Sequence, residues 1–191
     1  MPRRDRLRRV VLLCCSFARN LCYYRAGRTD DHLALVEPAM NRTASFWLQT
    51  QRNFIDICVL EWCKLFADKD GKHHWRRVVT SPRTFEEELL AKLELDKGIF
   101  QQQIDEIRRY RDKFVAHLDS AYTADIPFLD VHKQAVWHYH RHVVKNEAKP
   151  GELDGLPLSL DEGFRDCSIE ADLVYQAARA TGSVGDPRSC N

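Results

Sequence analysis

Apolar side chains recur at intervals of four and three residues along positions 99–122, and this spacing predicts a helix that packs one face into a core. The positions of the stripe are Phe100, Ile104, Ile107, Arg111, Phe114 and Leu118. Arg111 thus occupies a position that the repeat assigns to an apolar residue. Because an unpaired buried charge is very costly, we expect this arginine to bind an anion or to line a groove.

Similar repeats elsewhere in the chain predict further helices. Their ranges are 3–26, about 41–66, 82–95, 127–144 and 168–180. The helix at 41–66 has apolar residues on two sides, which is typical of a central helix in a bundle. No alternating strand pattern and no internal repeat accompany them. The sequence therefore predicts an all-α fold, an antiparallel helical bundle of five to six helices.

The length of 191 residues allows one domain with an extension. We predict that residues 1–148 form the bundle, of which 1–28 are a basic amphipathic first helix. Residues 149–191 are expected to be an acidic linker, a short helix and a disordered tail. The net charge of +1 combines +7 in residues 1–28 with −6 in the rest. A bundle that is nearly neutral is not charged like a general nucleic-acid binder, so any positive field must be local.

The seven cysteines are odd in number and include no CxxC pair, which predicts free thiols in a reducing cytoplasm. No apolar run is long enough to span a bilayer, so we predict no stable membrane insertion. A basic start and a short apolar run at 10–18 imitate a signal peptide, but no cleavage site follows. An amphipathic helix is the simpler interpretation, and its docking on an anionic membrane is a weaker alternative.

Three side chains with complementary chemistry follow one another on the helix that contains Arg111. They are Arg111, Lys113 and His117. A histidine with a pKa near neutrality can transfer protons at a 2′-hydroxyl or a leaving oxygen, and a guanidinium can hold phosphoryl oxygens in the transition state. RNA supplies its own nucleophile, so this chemistry needs no metal and no cofactor. The alternative is structural: Arg111 pairs with a core carboxylate, Glu61 or Asp56, and His117 is a core histidine.

The decapeptide at 110–119, YRDKFVAHLD, contains an arginine and a histidine separated by five residues. It resembles the R-x(4–6)-H motif of HEPN domains and is similar to the AbiU-type branch linked to abortive phage infection. Phe46-Trp47, the segment 56–65, His74-Trp75 and the segment 126–130 also resemble that branch. The resemblance covers roughly residues 5–145.

This resemblance implies a HEPN-like bundle that forms a homodimer through the motif helix, with a groove at the dimer axis. It implies a metal-independent endoribonuclease that leaves 2′,3′-cyclic phosphate ends, acting as a toxin or phage-defence effector with an antitoxin or regulatory partner. By position, Arg111 would stabilise the phosphate, His117 would act on the 2′-hydroxyl and Asp112 would orient the arginine. Lys113 and Tyr110 would support them. The alternative is a non-catalytic helical module that binds RNA or a partner protein.

A second candidate for RNA binding is the aromatic and basic stretch at 73–77. Trp75, Arg76 and Arg77 combine a stacking ring with two cations, as single-strand binders do. The alternative is a surface loop whose Trp75 packs onto the bundle.

Two further features have weaker functional interpretations. His138 and His142 are one helical turn apart and share a face, but no cysteine or carboxylate at ligand spacing completes a metal site, so we predict none. The acidic residues in 150–172 favour a solvated linker, with shielding of a basic groove as the alternative.

Overall fold

The computed structural model describes residues 1–37, 42–115 and 128–182, and all regular structure in these ranges is helical. The α-helices of the described residues are α1 (Arg3–Ala26), α2 (Asp30–Leu33), α3 (Ala44–Trp62), α4 (Trp75–Val78), α5 (Pro82–Leu93), α6 (Lys97–Tyr110), α7 (Asp130–His142) and α8 (Leu160–Gly182). A 3-10 turn, Ala34–Val36, follows α2. The prediction of an all-α helical bundle class is confirmed, but the described residues form eight α-helices instead of the five to six predicted, because α2 and α4 are single turns of four residues that the periodicity does not reveal.

The predicted helix boundaries agree with the structure best at the start of the chain. The helix predicted at 3–26 is α1, but the short helix predicted at 168–180 begins earlier, at Leu160. Asp161 and Glu162 lie in the first turn of α8, where a helix N-terminus favours negative charge. The acidic residues that suggested a linker therefore begin a helix.

Three helices end in a π-helical turn instead of continuing as α-helix. These turns are Cys63–Ala67 after α3, Arg111–Val115 after α6, and Val143–Glu147 after α7. Each turn holds more residues than a turn of α-helix and changes the direction in which the following side chains point. The continuation of α6 towards 122, which the repeat predicts, lies outside the described residues.

The chain divides into two compact units. The first consists of Met1–Ala18 and Asp56–Leu160, and the second of Arg19–Ile55 and Asp161–Asn191. The boundary predicted at residue 148 does not coincide with this division, and it stays a prediction.

Trp62 lies at the centre of the first unit and has no exposed surface. Its indole packs against the rings of Phe66, Phe100 and His132, with ring centroids 5.0, 6.4 and 4.6 Å away. These rings come from the π turn after α3, from α6 and from α7. The core contacts of Trp62 therefore fix the helix that leads to Arg111.

The start of α1 is part of the core of the first unit. Leu7 and Val10 are fully buried, while arginines on the other side of the helix bond to the segment after α7. Arg8 Nη1 donates to the carbonyl oxygens of Glu152 and Asp154, at 3.1 and 3.0 Å. Two carbonyl oxygens of the segment 149–159 thus bond to α1 and Leu153 is buried, while most of the segment is exposed, as expected for a linker.

Tyr175 on α8 organises the second unit. Its hydroxyl donates to the carbonyl oxygen of Tyr23 at 3.1 Å and accepts a hydrogen bond from the Gln51 amide. Its ring lies 5.1 Å from that of His32 and 5.4 Å from that of Trp47. This unit is thus held by aromatic packing around one phenol.

The six cysteines in the described ranges are all free thiols, as the sequence predicts. No helix in the described parts of the chain combines the length and the apolar character that crossing a membrane requires.

Candidate functional site

Helix α6 brings Arg111 to the edge of the core of the first unit. The helix starts at an N-cap, where the Asp96 carboxylate accepts the Ile99 amide hydrogen at 2.9 Å. Phe100, Ile104 and Ile107 are buried, as the stripe predicts. Arg111 follows directly and is the first residue of the π turn.

Two carboxylates hold the Arg111 guanidinium. Nη1 lies 2.7 Å from Asp68 Oδ1 and Nε lies 2.9 Å from Asp112 Oδ1, while 18% of the side chain is exposed. Burial alone would lower the pKa of Arg111, but the hydrogen bonds to Asp68 and Asp112 outweigh it and raise the pKa. The arginine is therefore charged at every physiological pH.

The carboxylate from another helix that pairs with Arg111 is the partly exposed Asp68, so the expected core partners Glu61 and Asp56 are wrong. Glu61 accepts from Lys64 Nζ at 3.2 Å, and Asp56 Oδ1 accepts from the hydroxyl of Tyr110 at 3.0 Å. Asp68 caps the π turn after α3. The π turn Cys63–Ala67 places the Asp68 carboxylate after the end of α3, beyond the positions 56 and 61 at which the sequence suggested a partner.

The thiol of Cys63 lies close enough to this ion pair to interact with the charge of Arg111, but it is not activated. Cys63 is 1% exposed, and burial raises the pKa of its thiol to about 12, against a smaller lowering by the charge of Arg111. A thiolate is the reactive form of cysteine, and it is scarce at such a pKa. Cys63 is therefore a core residue here.

The other residues of the motif differ in their contacts and in their exposure to solvent. Asp112 bonds Arg111 directly, which agrees with the orienting role that the resemblance implies. Tyr110 is 7% exposed and its hydroxyl is used by Asp56, so it supports the position of the helix. Lys113 is exposed. His117, the expected proton-transfer residue, lies outside the described residues.

The expectation that Trp75 stacks on RNA bases is wrong. The indole is 3% exposed and packs against Phe85, with ring centroids 5.2 Å apart, so neither face is open to a base. The stretch is not a loop but contains α4, which turns the ring inward. Arg76 and Arg77 are exposed, but each pairs with a neighbouring carboxylate: Glu86 at 2.8 Å and Asp70 at 3.1 Å.

His74 anchors this short helix from a buried position. Its Nε2 lies 2.9 Å from the carbonyl oxygen of Phe66, and its Nδ1 accepts the backbone amide hydrogen of Arg76 at 3.2 Å. The ring is 1% exposed, and burial is the main cause that lowers its pKa to about 4. His74 is therefore a neutral N-cap with one defined tautomer.

A second buried anion was not foreseen from the sequence. The side chain of Glu147 is 2% exposed, and its oxygens accept from the Thr80 amide at 2.7 Å, the Thr80 hydroxyl at 2.6 Å and Arg3 Nη2 at 2.7 Å. Burial alone would raise the pKa of Glu147, but the hydrogen bonds from Thr80 lower it overall. This carboxylate links α1, the segment before α5 and the end of α7.

The motif thus has a fixed, permanently charged guanidinium that is partly open to solvent and neutralised by two carboxylates. One of these anions, Asp112, is the chain neighbour of the arginine and accepts from its Nε, whereas Asp68 comes from the end of the π turn after α3 and accepts from its Nη1. Compared with protein-family models, curated proteins and solved structures, the chain matches none.

Proposed function

We propose that this chain is a metal-independent endoribonuclease of HEPN type that cleaves RNA at a groove shared by two copies. The observation that carries the proposal is the placement of Arg111 at the edge of an apolar seam, with Asp112 holding its Nε. A guanidinium in that setting presents its remaining nitrogens in a fixed direction, as binding of a transition-state phosphate requires.

The Asp68 carboxylate competes with an RNA phosphate for Arg111. In the free protein its carboxylate bonds Arg111 Nη1 at 2.7 Å, so a substrate phosphate has to replace it. Asp68 is 39% exposed as a side chain and can rotate into water. The exchange of one anion for another makes binding weak for RNA in general and favours substrates with additional contacts.

The cleavage chemistry of the proposal follows the roles that the resemblance implies. His117 takes the 2′-hydroxyl proton and the 2′-oxygen attacks the adjacent phosphorus. The bond from phosphorus to the 5′-oxygen of the next nucleotide breaks, and the protonated imidazole of His117 gives its proton to that leaving oxygen. Arg111 stabilises the negative charge that grows on the phosphoryl oxygens. The products are a 2′,3′-cyclic phosphate and a 5′-hydroxyl end.

The test is cleavage of RNA by the full chain in excess EDTA, with product ends analysed. We expect cleavage that is lost in His117→Ala and reduced by about 100-fold or more in Arg111→Ala, as for removal of other transition-state donors. Arg109→Ala is the matched control, because it removes the same charge from an exposed position on the same helix. Absence of cleavage by the folded protein, or cleavage that survives in His117→Ala, refutes the catalytic proposal.

The second candidate is a non-catalytic helical module that binds RNA or a partner protein. The double pairing of Arg111 favours it, since two carboxylates satisfy the charge without any ligand. For this candidate Arg111→Ala lowers the melting temperature, whereas His117→Ala changes neither stability nor any activity. The cleavage assay together with thermal unfolding of the same variants separates the two functions.

The proposal also includes a homodimer through the motif helix, acting in the cytoplasm as a toxin or phage-defence effector under the control of an antitoxin or regulatory protein. Sedimentation equilibrium of the full chain tests the dimer. A monomer at all concentrations in the presence of RNA refutes the shared groove.

A further inference from the structure

Three potential metal ligands meet between α5 and α7 in the first unit, away from the arginine motif. Glu88 lies on α5, and His138 and His142 are one turn apart on α7. One ligand atom from each side chain lies within 4.8 Å of the other two. No other group of three such side chains in the described ranges brings its ligand atoms this close.

His142 is oriented as a metal ligand by a buried carboxylate. Its Nε2 lies 3.3 Å from Glu147 Oε1, and Glu147 is fixed by Thr80 and Arg3. Because a carboxylate accepts hydrogen bonds only, the proton of the neutral ring lies on Nε2 and the lone pair on Nδ1. A carboxylate behind a ligating histidine is the usual support for such a ligand in metal sites.

The other ring nitrogen of His142, Nδ1, lies on the Glu88 side, where a bound metal ion would replace its hydrogen bond with Asn146. Nδ1 lies 3.8 Å from Glu88 Oε2 and accepts the Asn146 amide hydrogen at 3.1 Å, which agrees with a lone pair at that atom. The His142 side chain is 9% exposed, whereas Glu88 is 51% exposed. The cluster is therefore rigid on the histidine side and open to solvent on the glutamate side.

One ring nitrogen of His138 has no hydrogen-bond partner among the described residues. This nitrogen, Nε2, is buried. A buried polar atom left unsatisfied costs free energy, which a bound ligand would recover.

We infer that Glu88, His138 and His142 bind one divalent transition-metal ion of the zinc class, with a fourth position left to water. Two imidazoles and one carboxylate suit Zn²⁺ and its neighbours better than Mg²⁺ or Ca²⁺, which prefer oxygen ligands. Tetrahedral Zn²⁺ with bonds of about 2.0–2.1 Å places its ligand atoms about 3.4 Å apart. The ligand atoms now lie within 4.8 Å of one another, so metal binding requires them to move closer, and the exposed Glu88 side chain is free to rotate towards the two rings.

The spacing of residues in the sequence could not predict this site, because its carboxylate and its two histidines lie on different helices. His138 and His142 have the usual i, i+4 relation of a helical histidine pair, but Glu88 is 50 residues before His138. The inference does not depend on the ribonuclease proposal, which is tested with metal removed.

The test is a titration of the chelator-stripped full chain with Co²⁺ and Zn²⁺, followed by visible absorption and by calorimetry. We expect one equivalent of Co²⁺ with the intense visible bands of tetrahedral coordination, displaced by Zn²⁺, and a rise in melting temperature on adding Zn²⁺. Mg²⁺ and Ca²⁺ at the same concentrations should leave the melting temperature unchanged.

Variants assign the site. Glu88→Gln and His138→Ala should each weaken Zn²⁺ by at least about tenfold, a loss that even supporting residues commonly cause. Glu87→Gln is the control for Glu88→Gln, since Glu87 is the adjacent exposed carboxylate and pairs with Arg83. A wild-type chain without a stoichiometric site, thiolate-to-cobalt bands that show cysteine ligands, or unchanged affinity in both variants overturns the inference.

Discussion

His74 makes the stability of the first unit depend on pH. In the folded protein burial, assisted by the charges of Arg76 and Lys69, lowers its pKa to about 4, whereas the hydrogen bond with the Phe66 carbonyl acts in the opposite direction. In the unfolded chain the ring returns to its ordinary pKa of 6.5. Between these two values the unfolded state binds a proton that the folded state does not.

The direction of the effect follows from this difference. Above about pH 6.5 both states are neutral at this ring and His74 adds no pH dependence; below that value the free energy of unfolding falls until the folded pKa is reached. Going from about pH 7.5 to about pH 5, the two pKa values predict a loss of about 2 kcal/mol from this one ring. The proton would also remove the Nδ1 lone pair that accepts the Arg76 amide hydrogen.

The assay compares urea unfolding of the wild type and His74→Asn at both pH values, with EDTA present so that metal binding does not contribute. Asparagine keeps an acceptor for the Arg76 amide and does not titrate, so the variant should be less stable at neutral pH. Its loss of stability on acidification should be smaller than that of the wild type by about 2 kcal/mol. The other buried histidines change the free energy of unfolding with pH equally in both proteins, so their contribution cancels in the difference. Equal losses in the two proteins would refute the assignment of a neutral, buried His74.

Two further changes test the carboxylates that pair with Arg3 and Arg111. Glu147→Gln removes the acceptor charge from Thr80 and Arg3 and should lower the free energy of unfolding by about 2–3 kcal/mol, while Glu152→Gln, which also faces Arg3 but at 3.9 Å, should cost less than about 1 kcal/mol. Equal costs in urea unfolding would contradict the central role of Glu147. Asp68→Asn leaves Arg111 with one carboxylate and should tighten RNA binding by about tenfold, which corresponds to about 1.4 kcal/mol of relieved repulsion. Asp70→Asn is the control, because it makes the same change of charge next to Arg77, and it should leave the RNA affinity measured by fluorescence anisotropy nearly unchanged. Equal RNA affinities of the two variants would show that Asp68 does not compete with RNA for Arg111.

The periodic signals in the sequence predicted most of the helices because each is a local property. The stripe of α6 and the range of α1 follow directly from side-chain spacing, and both agree with the structure. The pairing of Arg111 with an anion was also predictable, because a charge on an apolar seam has few alternatives.

The contacts between residues of different helices could not be predicted from the sequence in the same way. Asp68 meets Arg111 across 43 residues, and its position depends on a π turn that helix periodicity does not reveal. Trp75 illustrates the same limit. The aromatic and basic composition of residues 73–77 suggested base stacking, but the indole is buried because it packs against Phe85. Glu147 and Glu88 acquire their roles only through contacts with other elements.

The π turn that starts at Arg111 affects the number of residues between the arginine and the histidine of the motif. A π turn closes its hydrogen bonds over five residues, one more than a turn of α-helix. The turn begins at Arg111 and ends at Val115, before His117, so deleting one of its residues after Arg111 would leave four instead of five residues between arginine and histidine. Chains with the shorter and the longer spacing would then differ by one codon within this turn, and the surrounding helix would keep its register up to Tyr110 in both.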